Sequence, residues 1–284
     1  MRHEERDGHA GGGGRGDRSL WDAAVWRSGL VAEADEEDGT NQVGMWLVDE
    51  RPDLATDYVL TKGVPERLLL DDGRTIVTHN VGYKAAATVR VRRWAPPGHS
   101  SSPYGVPHAV AALAELIGRL VDHRPRRRLL PATQATLESL IGPVGEDLEA
   151  DIARAGQLHR ALGDLLEPLF STTIAPTRLH GSDALNVLPA RASVDCDCRV
   201  LPGTSIDELL AEVRQALGDD VPYELDVLEP LAGGTLSPIE SPLFDACRAF
   251  IQTHDPGAIL LPTLCSGFTD SHYLRAAFGS HVPR

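Results

Sequence analysis

Long apolar runs, paired cysteine motifs and an excess of basic charge are all missing from this 284-residue sequence. Each absence closes off a class of function. No stretch of about 18 apolar residues occurs, which excludes a membrane-spanning helix. The opening "MRHEERDGHAGGGGRGDR" lacks the apolar core of a secretion signal, so the expected location is the cytoplasm. The four cysteines, Cys196, Cys198, Cys247 and Cys265, form neither a disulfide framework nor a CxxC zinc pattern and read as reduced thiols. With 27 Lys and Arg against 41 Asp and Glu, the net charge of −14 repels phosphate, which argues against nucleic acid or an anionic membrane as partner. The one basic run, "HRPRRR" at 123–128, follows an apolar helix and reads as its solvated end.

What is present is α/β texture with 42% hydrophobic residues, ample for a packed core. Residues 1–28 divide into a Gly-rich, charged stretch with no apolar period, expected to be disordered or foreign to the fold, and its approach to residue 29. Residues 29–34, "GLVAEA", fit a short buried strand, and 41–60 reads as a helix, a Pro-containing break and a second strand ending near Leu60. Two extended runs follow from Thr75 to Trp94, the second alternating as a sheet with one wet face would. From about 84 to 229 the order is strand, helix, strand, strand, helix, strand, the split βαβ or ferredoxin-like plan. A polar helical insertion is expected near 124–168, and 230–284 returns to α/β texture. The expected organisation is therefore an α/β domain in two parts, 29–82 and 230–284, holding an inserted α+β unit at 83–229.

Within the first part, "VAEADEEDGT" (31–40) sets Asp35, Glu36, Glu37 and Asp38 side by side. Two readings are open: a solvated acidic turn, or a metal site, since a divalent cation makes adjacent carboxylates tolerable and an unligated one can handle a proton. A second acid, Asp57, precedes the run "YVL", and loops at the carboxyl ends of strands are where ligands gather in open α/β sheets. Along 195–199, alternation places Asp195, Asp197 and Arg199 on one strand face and Cys196 with Cys198 on the core face. Arg199 either grips a carboxylate ligand or pairs with its strand neighbour Asp197.

Five stretches in order, "ADEEDG" (34–39), "DYVLTKG" (57–63), "GHSSSPYGVPHAV" (98–110), "GSDALNVLPARASVDCDCRVLPG" (181–203) and "SGFTDSHYLRAAFG" (266–279), carry a resemblance. The sequence resembles the di-zinc amidohydrolases and exopeptidases that include aminoacylase, carboxypeptidase G, acetylornithine deacetylase, succinyl-diaminopimelate desuccinylase and carnosinase. The resemblance implies a zinc-peptidase-like catalytic domain with a ferredoxin-like lid and dimerisation domain inserted. It implies a general base at Glu36, metal ligands at Glu37 and Asp57, and an oxyanion-stabilising His99 that reaches into a partner subunit's site. Asn186 and Arg199 would grip the substrate's carboxylate, and Gly267 and Thr269 would line the pocket, with Asp270 as a helix cap. The cofactor implied is zinc, two ions per site, or cobalt or manganese in its place. The partners implied are a small carboxylate-bearing amide or peptide and a second copy of the chain joined through the lid.

The sequence also departs from the pattern. Upstream of the acidic pair no His-x-Asp motif and no metal-bridging aspartate is recognisable, and His281 is too close to "SGFTD" to be the family's last histidine ligand. Lys62 stands in "LTKG" where an acid is usual. The sequence therefore reads as a family member truncated at both ends. Two expectations follow from different classes: a metal-dependent hydrolase of an amide or peptide bond beside a free carboxylate, inactive as an isolated chain, or a non-catalytic remnant that dimerises through its lid.

Overall fold

A computed structural model describes residues 29–32, 42–61, 66–267 and 269–279. The chain divides into two units, Met1–Ala55 and Thr56–Arg284. In the first, the helix expected after residue 41 is α1 (Gln42–Glu50), and the Pro-containing break is a short 3-10 turn at Pro52–Leu54. Proline suits the first position of such a turn because its missing N–H would find no partner there. The Arg51 guanidinium closes over the turn with bonds of 2.8 and 2.7 Å to the two Asp53 oxygens. Residues 29–32 correct an expectation: the start of "GLVAEA" is irregular and exposed, with Leu30 at 96%. An apolar run becomes a strand only where a neighbour supplies its ladder, and none is present among the described residues. Glu36, Glu37 and Lys62 lie outside the described residues.

Among the described residues the second unit holds two larger sheets, a two-stranded ladder and two separate cores. Strands β1 (Arg67–Leu69) and β2 (Thr75–Tyr83) pair antiparallel, and β3 (Ala85–Trp94) and the short β4 (Gly98–His99) follow. Helices α2 (Ala109–Asp122), α3 (Pro131–Ile141), α4 (Leu148–Gly156) and α5 (Arg160–Leu166) lead to β5 (Thr173–His180), β6 (Val187–Leu188) and β7 (Arg191–Val200). The chain then forms α6 (Ile206–Leu217), β8 (Glu224–Gly233), α7 (Pro242–His254), β9 (Ala258–Cys265) and α8 (Ser271–Phe278). The stretch 57–60, expected as a strand, forms none.

The four-stranded antiparallel sheet has the order β5-β7-β3-β8. With α2 and α6 between its strands in sequence, this is the ferredoxin-like arrangement that the order of elements predicts. Alternation explains its core. Ala85, Ala87, Val89 and Val91 of β3 and Val194, Cys196, Cys198 and Val200 of β7 face Leu113, Leu116 and Leu120 of α2 and Leu209, Val213 and Leu217 of α6. α6 opens on Ser205, whose hydroxyl accepts from the Glu208 N–H while Glu208 accepts from the Ser205 N–H at 2.7 Å, a capping box. Cys196 and Cys198 are core residues, and burial pushes both thiols up to about 12.

The second sheet has the order β1-β2-β9, with β2 and β9 parallel. Its core contains Ile76, Val81, Leu261 and Leu264 from the strands together with Leu137, Leu140, Ile152, Leu162, Leu166 and Phe170. Thus the helical insertion, expected as part of the lid, packs its apolar residues onto the other sheet. The 2.7 Å bond from the Thr136 hydroxyl to the Pro262 carbonyl ties α3 directly to β9. Among the described residues no helix is long and apolar enough to cross a membrane.

Candidate functional site

The carboxyl ends of the parallel pair β2 and β9 lie side by side, Tyr83 opposite Cys265. Crevices at such ends are where open α/β sheets place ligands. The loop from Ser266 to Asp270 leaves β9 here and enters α8. Its Thr269, which is 2% exposed, brings its hydroxyl within 2.6 Å of the Ser271 hydroxyl and 3.4 Å of both the Tyr83 and Thr61 hydroxyls. Tyr83, fully buried, is also 3.1 Å from the Ser271 hydroxyl. Gly267, two positions before Thr269, is half-buried; among the described residues a methyl group in its place would meet the Cys265 sulfur, at 4.0 Å. Asp57 is exposed at the start of the short stretch that ends at Thr61.

Three residues that the sequence reading missed complete this corner. Arg275 is buried, lies 4.8 Å from the centre of the Tyr83 ring, and donates to the Ser237 hydroxyl at 3.0 Å and the Thr235 carbonyl at 3.1 Å. Burial lowers its pKa, and the neighbouring Tyr83 acts in the other direction. His272 sits 2.9 Å from the Thr269 carbonyl through Nδ1, and burial pushes its pKa down. Ser271, His272 and Arg275 share one face of α8, a spacing of three and four residues that was readable in "SHYLR". Asp270, expected as a cap, precedes α8 and is buried, but its side chain makes no capping bond.

The lid contributes a second group. Strands β4 and β6 pair through Gly98 with Leu188 and His99 with Val187, and the Ser100 N–H donates to the Asn186 carbonyl at 3.0 Å. This two-rung ladder holds the exposed His99 at the end of β4 and the exposed Asn186 in the turn just before β6. The Ser101 N–H donates to His99 Nδ1 at 3.1 Å, and the Ser101 hydroxyl lies 2.8 Å from the same nitrogen. With Nδ1 accepting, the neutral ring carries its proton on Nε2, a hydrogen-bond donor. Arg199, by contrast, is engaged: its Nε and Nη2 donate to the two Asp197 oxygens at 2.7 and 2.9 Å. Arg199 is 32% and Asp197 42% exposed, so the pair adds little stability and chiefly fixes where the fork points.

On the same wet face of the lid sheet, Asp195 is 3% exposed because longer side chains cover it. Arg90 donates to it at 2.5 and 2.8 Å and His180 lies 3.0 Å away; these bonds, Arg90 first, pull its pKa down to about 2.

A zinc site needs three or four converging protein ligands. Among the described residues no group of three or more His, Cys, Asp or Glu converges, and Asp57 is the single expected ligand that lies within them. Glu36 and Glu37, the other acids expected at a metal site, lie outside the described residues.

Comparison with known proteins places the chain beside one family, two curated relatives and two solved structures. The family described as peptidase dimerisation domain, M20_dimer, matches residues 81–224. The probable carboxypeptidase S-like 2 of Dictyostelium discoideum is 23% identical over 236 residues, 76% of this chain and 43% of its own length. The N-fatty-acyl-amino acid synthase/hydrolase PM20D1 of Mus musculus is 22% identical over 244 residues, 78% of this chain and 48% of its own. This chain therefore spans about half the length of the curated relatives it matches. Among solved structures, an M20 family metallo-carboxypeptidase from Sulfolobus solfataricus superposes over 88% of this chain and 60% of its own, with a TM-score of 0.59 at 17% identity. Human carnosine dipeptidase 1 covers 88% and 57%, with a TM-score of 0.55 at 16% identity. At these identities the structural likeness is one of fold.

Proposed function

The chain belongs to the M20 peptidase family, and on that premise we propose that it serves a metallopeptidase-type hydrolase that cleaves an amide or peptide bond beside a free carboxylate. The observation that carries the reading is the β4–β6 ladder, which sets His99, with its proton on Nε2, next to Asn186. A donor held in one tautomer by the backbone is suited to a developing oxyanion, because its orientation costs nothing at the moment of reaction. The outer edge of the Arg199 fork, kept in place by Asp197, supplies donors for the substrate carboxylate, while Asn186 stands with His99 beyond the opposite end of β7 and would reach that carboxylate from a second copy of the chain. Thr269 and Gly267 border the pocket at the ends of β2 and β9. Glu36 as base and Glu37 with Asp57 as ligands of zinc, cobalt or manganese complete the proposal by resemblance.

The same reading makes the chain a homodimer through the lid. Support comes from β5, an edge strand whose outer end, Arg178 to His180, is exposed, with Leu179 at 68%. That edge also favours the second reading, a dimerising module without catalysis. One experiment separates the two: the purified chain, supplied with zinc, is incubated with a panel of N-acyl amino acids and dipeptides while free amine is measured. Release that falls in His99→Ala and Arg199→Ala supports the hydrolase. A chain that dimerises, releases no amine and retains no zinc after dialysis is the non-catalytic module.

A further inference from the structure

Lys84 is fully buried, and neither the candidate site nor the lid core uses it. It stands between β2 and β3, the point where the chain leaves one sheet for the other, and its backbone N–H donates to the Cys265 carbonyl at 3.0 Å. Its ammonium donates to the carbonyls of Pro168 and Ser171 at 2.9 and 2.8 Å. Those two carbonyls belong to the segment joining the insertion helix α5, packed on the β2–β9 sheet, to lid strand β5. One side chain thus clamps two of the chain crossings between the two cores. The clusters on either side share no residue, the arrangement in which relative motion is the default unless something pins the junction.

We infer that Lys84 is a latch at the junction of the two sheets: its ammonium holds the α5–β5 crossing to the β2–β3 crossing, and weakening that grip frees the lid sheet to move against the β2–β9 sheet. A lysine is suited to this. Its charged N–H donors bind carbonyls more strongly than neutral ones, and removing the proton weakens both bonds at once. The ionised groups that reach it come from β7: Arg199, which disfavours its charge, and Asp197, which favours it. Burial is the larger influence, and together these bring its pKa down from 10.5 to about 7. The latch is therefore closed in mild acid and loosened in mild alkali. Because Arg199 is the proposed carboxylate-gripping residue, the latch and that grip share one charge cluster.

The test places spin labels, carried on ketone-bearing amino acids so that the native cysteines stay untouched, at exposed Gln215 of α6 and Gln252 of α7. The distance distribution between them is recorded at about pH 6 and about pH 8.5, on either side of the Lys84 midpoint. Expected is a narrow distribution at the lower pH that broadens at the higher one. Lys84→Gln, which keeps N–H donors but cannot titrate, should give the same width at both. A wild-type distribution that does not change overturns the proposal, as does a Lys84→Gln protein that broadens as the wild type does. Neither outcome depends on catalysis.

Discussion

Acidification should unfold this protein partly through one histidine, His79. It lies on β2, is 4% exposed, and packs edge-on against Phe244 of α7 with ring centroids 5.1 Å apart. Its Nε2 is buried without a hydrogen-bond partner among the described residues. Burial pushes its pKa from 6.5 down to about 4, because the site strips an imidazolium of its solvation. The unfolded chain takes up a proton near pH 6.5 and the folded chain only near 4. The stability is therefore complete above about pH 6.5 and is lost as the pH falls toward 4. A shift of this size is worth about 3 kcal/mol in full and about 2.5 kcal/mol by pH 4.5. That is a large part of the 5 to 15 kcal/mol by which domains are typically stable, taken as a rough guide. The assay is urea denaturation at pH 7.5 and pH 4.5 for the wild type and for His79→Leu, a residue of similar volume that cannot titrate. Carboxylates and the buried His272 act in both proteins and cancel in the comparison. The wild type should lose about 2.5 kcal/mol more than the variant. Parallel losses would refute the reasoning.

Asp195→Asn should destabilise the lid by about 3 kcal/mol, since it strips Arg90 and His180 of their shared carboxylate; urea denaturation followed by far-ultraviolet circular dichroism measures it. The same carboxylate, held at about 2, contributes stability that is present above its ordinary range and lost as the pH falls toward 2, so Asp195→Asn should flatten the acid limb of the stability curve below about pH 4. In the native protein an aromatic disulfide reagent should label Cys247 and Cys265 at most, with Cys196 and Cys198 reacting only on unfolding, because both lie in the lid core with thiols held near 12. Ser205→Ala removes the α6 cap and should cost about 1 kcal/mol in the same denaturation assay.

The lid was legible in the sequence because its periods are strict. "ATVRVRRW" alternates, and β3 alternates with it from Ala85 onward; "SIDELLAEVRQALG" shows its cap and its apolar face, and α6 runs from Ile206 to Leu217. The insertion was harder. Its α3, "PATQATLESLI", carries threonines at buried positions, and their polarity reads as exposure. Thr136 is buried because its hydroxyl is satisfied by the Ala132 and Pro262 carbonyls, the second of them a long-range partner that no local pattern reveals. Asp195 misled in the same way: alternation puts it on the wet face, but Arg90 and His180 from the neighbouring strands roof it over. Residues 29–32 failed for the opposite reason, since an apolar run carries no information about whether a partner strand is present.

Of the candidate site, the sequence marked His99 and Asn186 through resemblance alone. Nothing in their separation of 87 positions announces a ladder between β4 and β6, because cross-strand pairing is set by tertiary register. Arg199 and Asp197 were legible as a strand pair from their spacing of two, and the bidentate bond between them is present. His272 and Arg275 were missed because three residues of separation on a short helix is also how any amphipathic surface looks; only their burial, and the place of Arg275 over the Tyr83 ring, sets them apart.

The central claim, recognition of a free carboxylate beside the scissile bond with His99 stabilising the oxyanion, is tested most directly by one comparison of rates. The zinc-supplied chain is given an N-acyl amino acid and its carboxamide counterpart, and kcat/KM is measured for each in the wild type and in His99→Ala. The account predicts a preference for the acid of about a hundredfold or more, and a loss of about a hundredfold on the acid in His99→Ala. Equal rates on acid and carboxamide, an undiminished His99→Ala variant, or no turnover of either compound would contradict it.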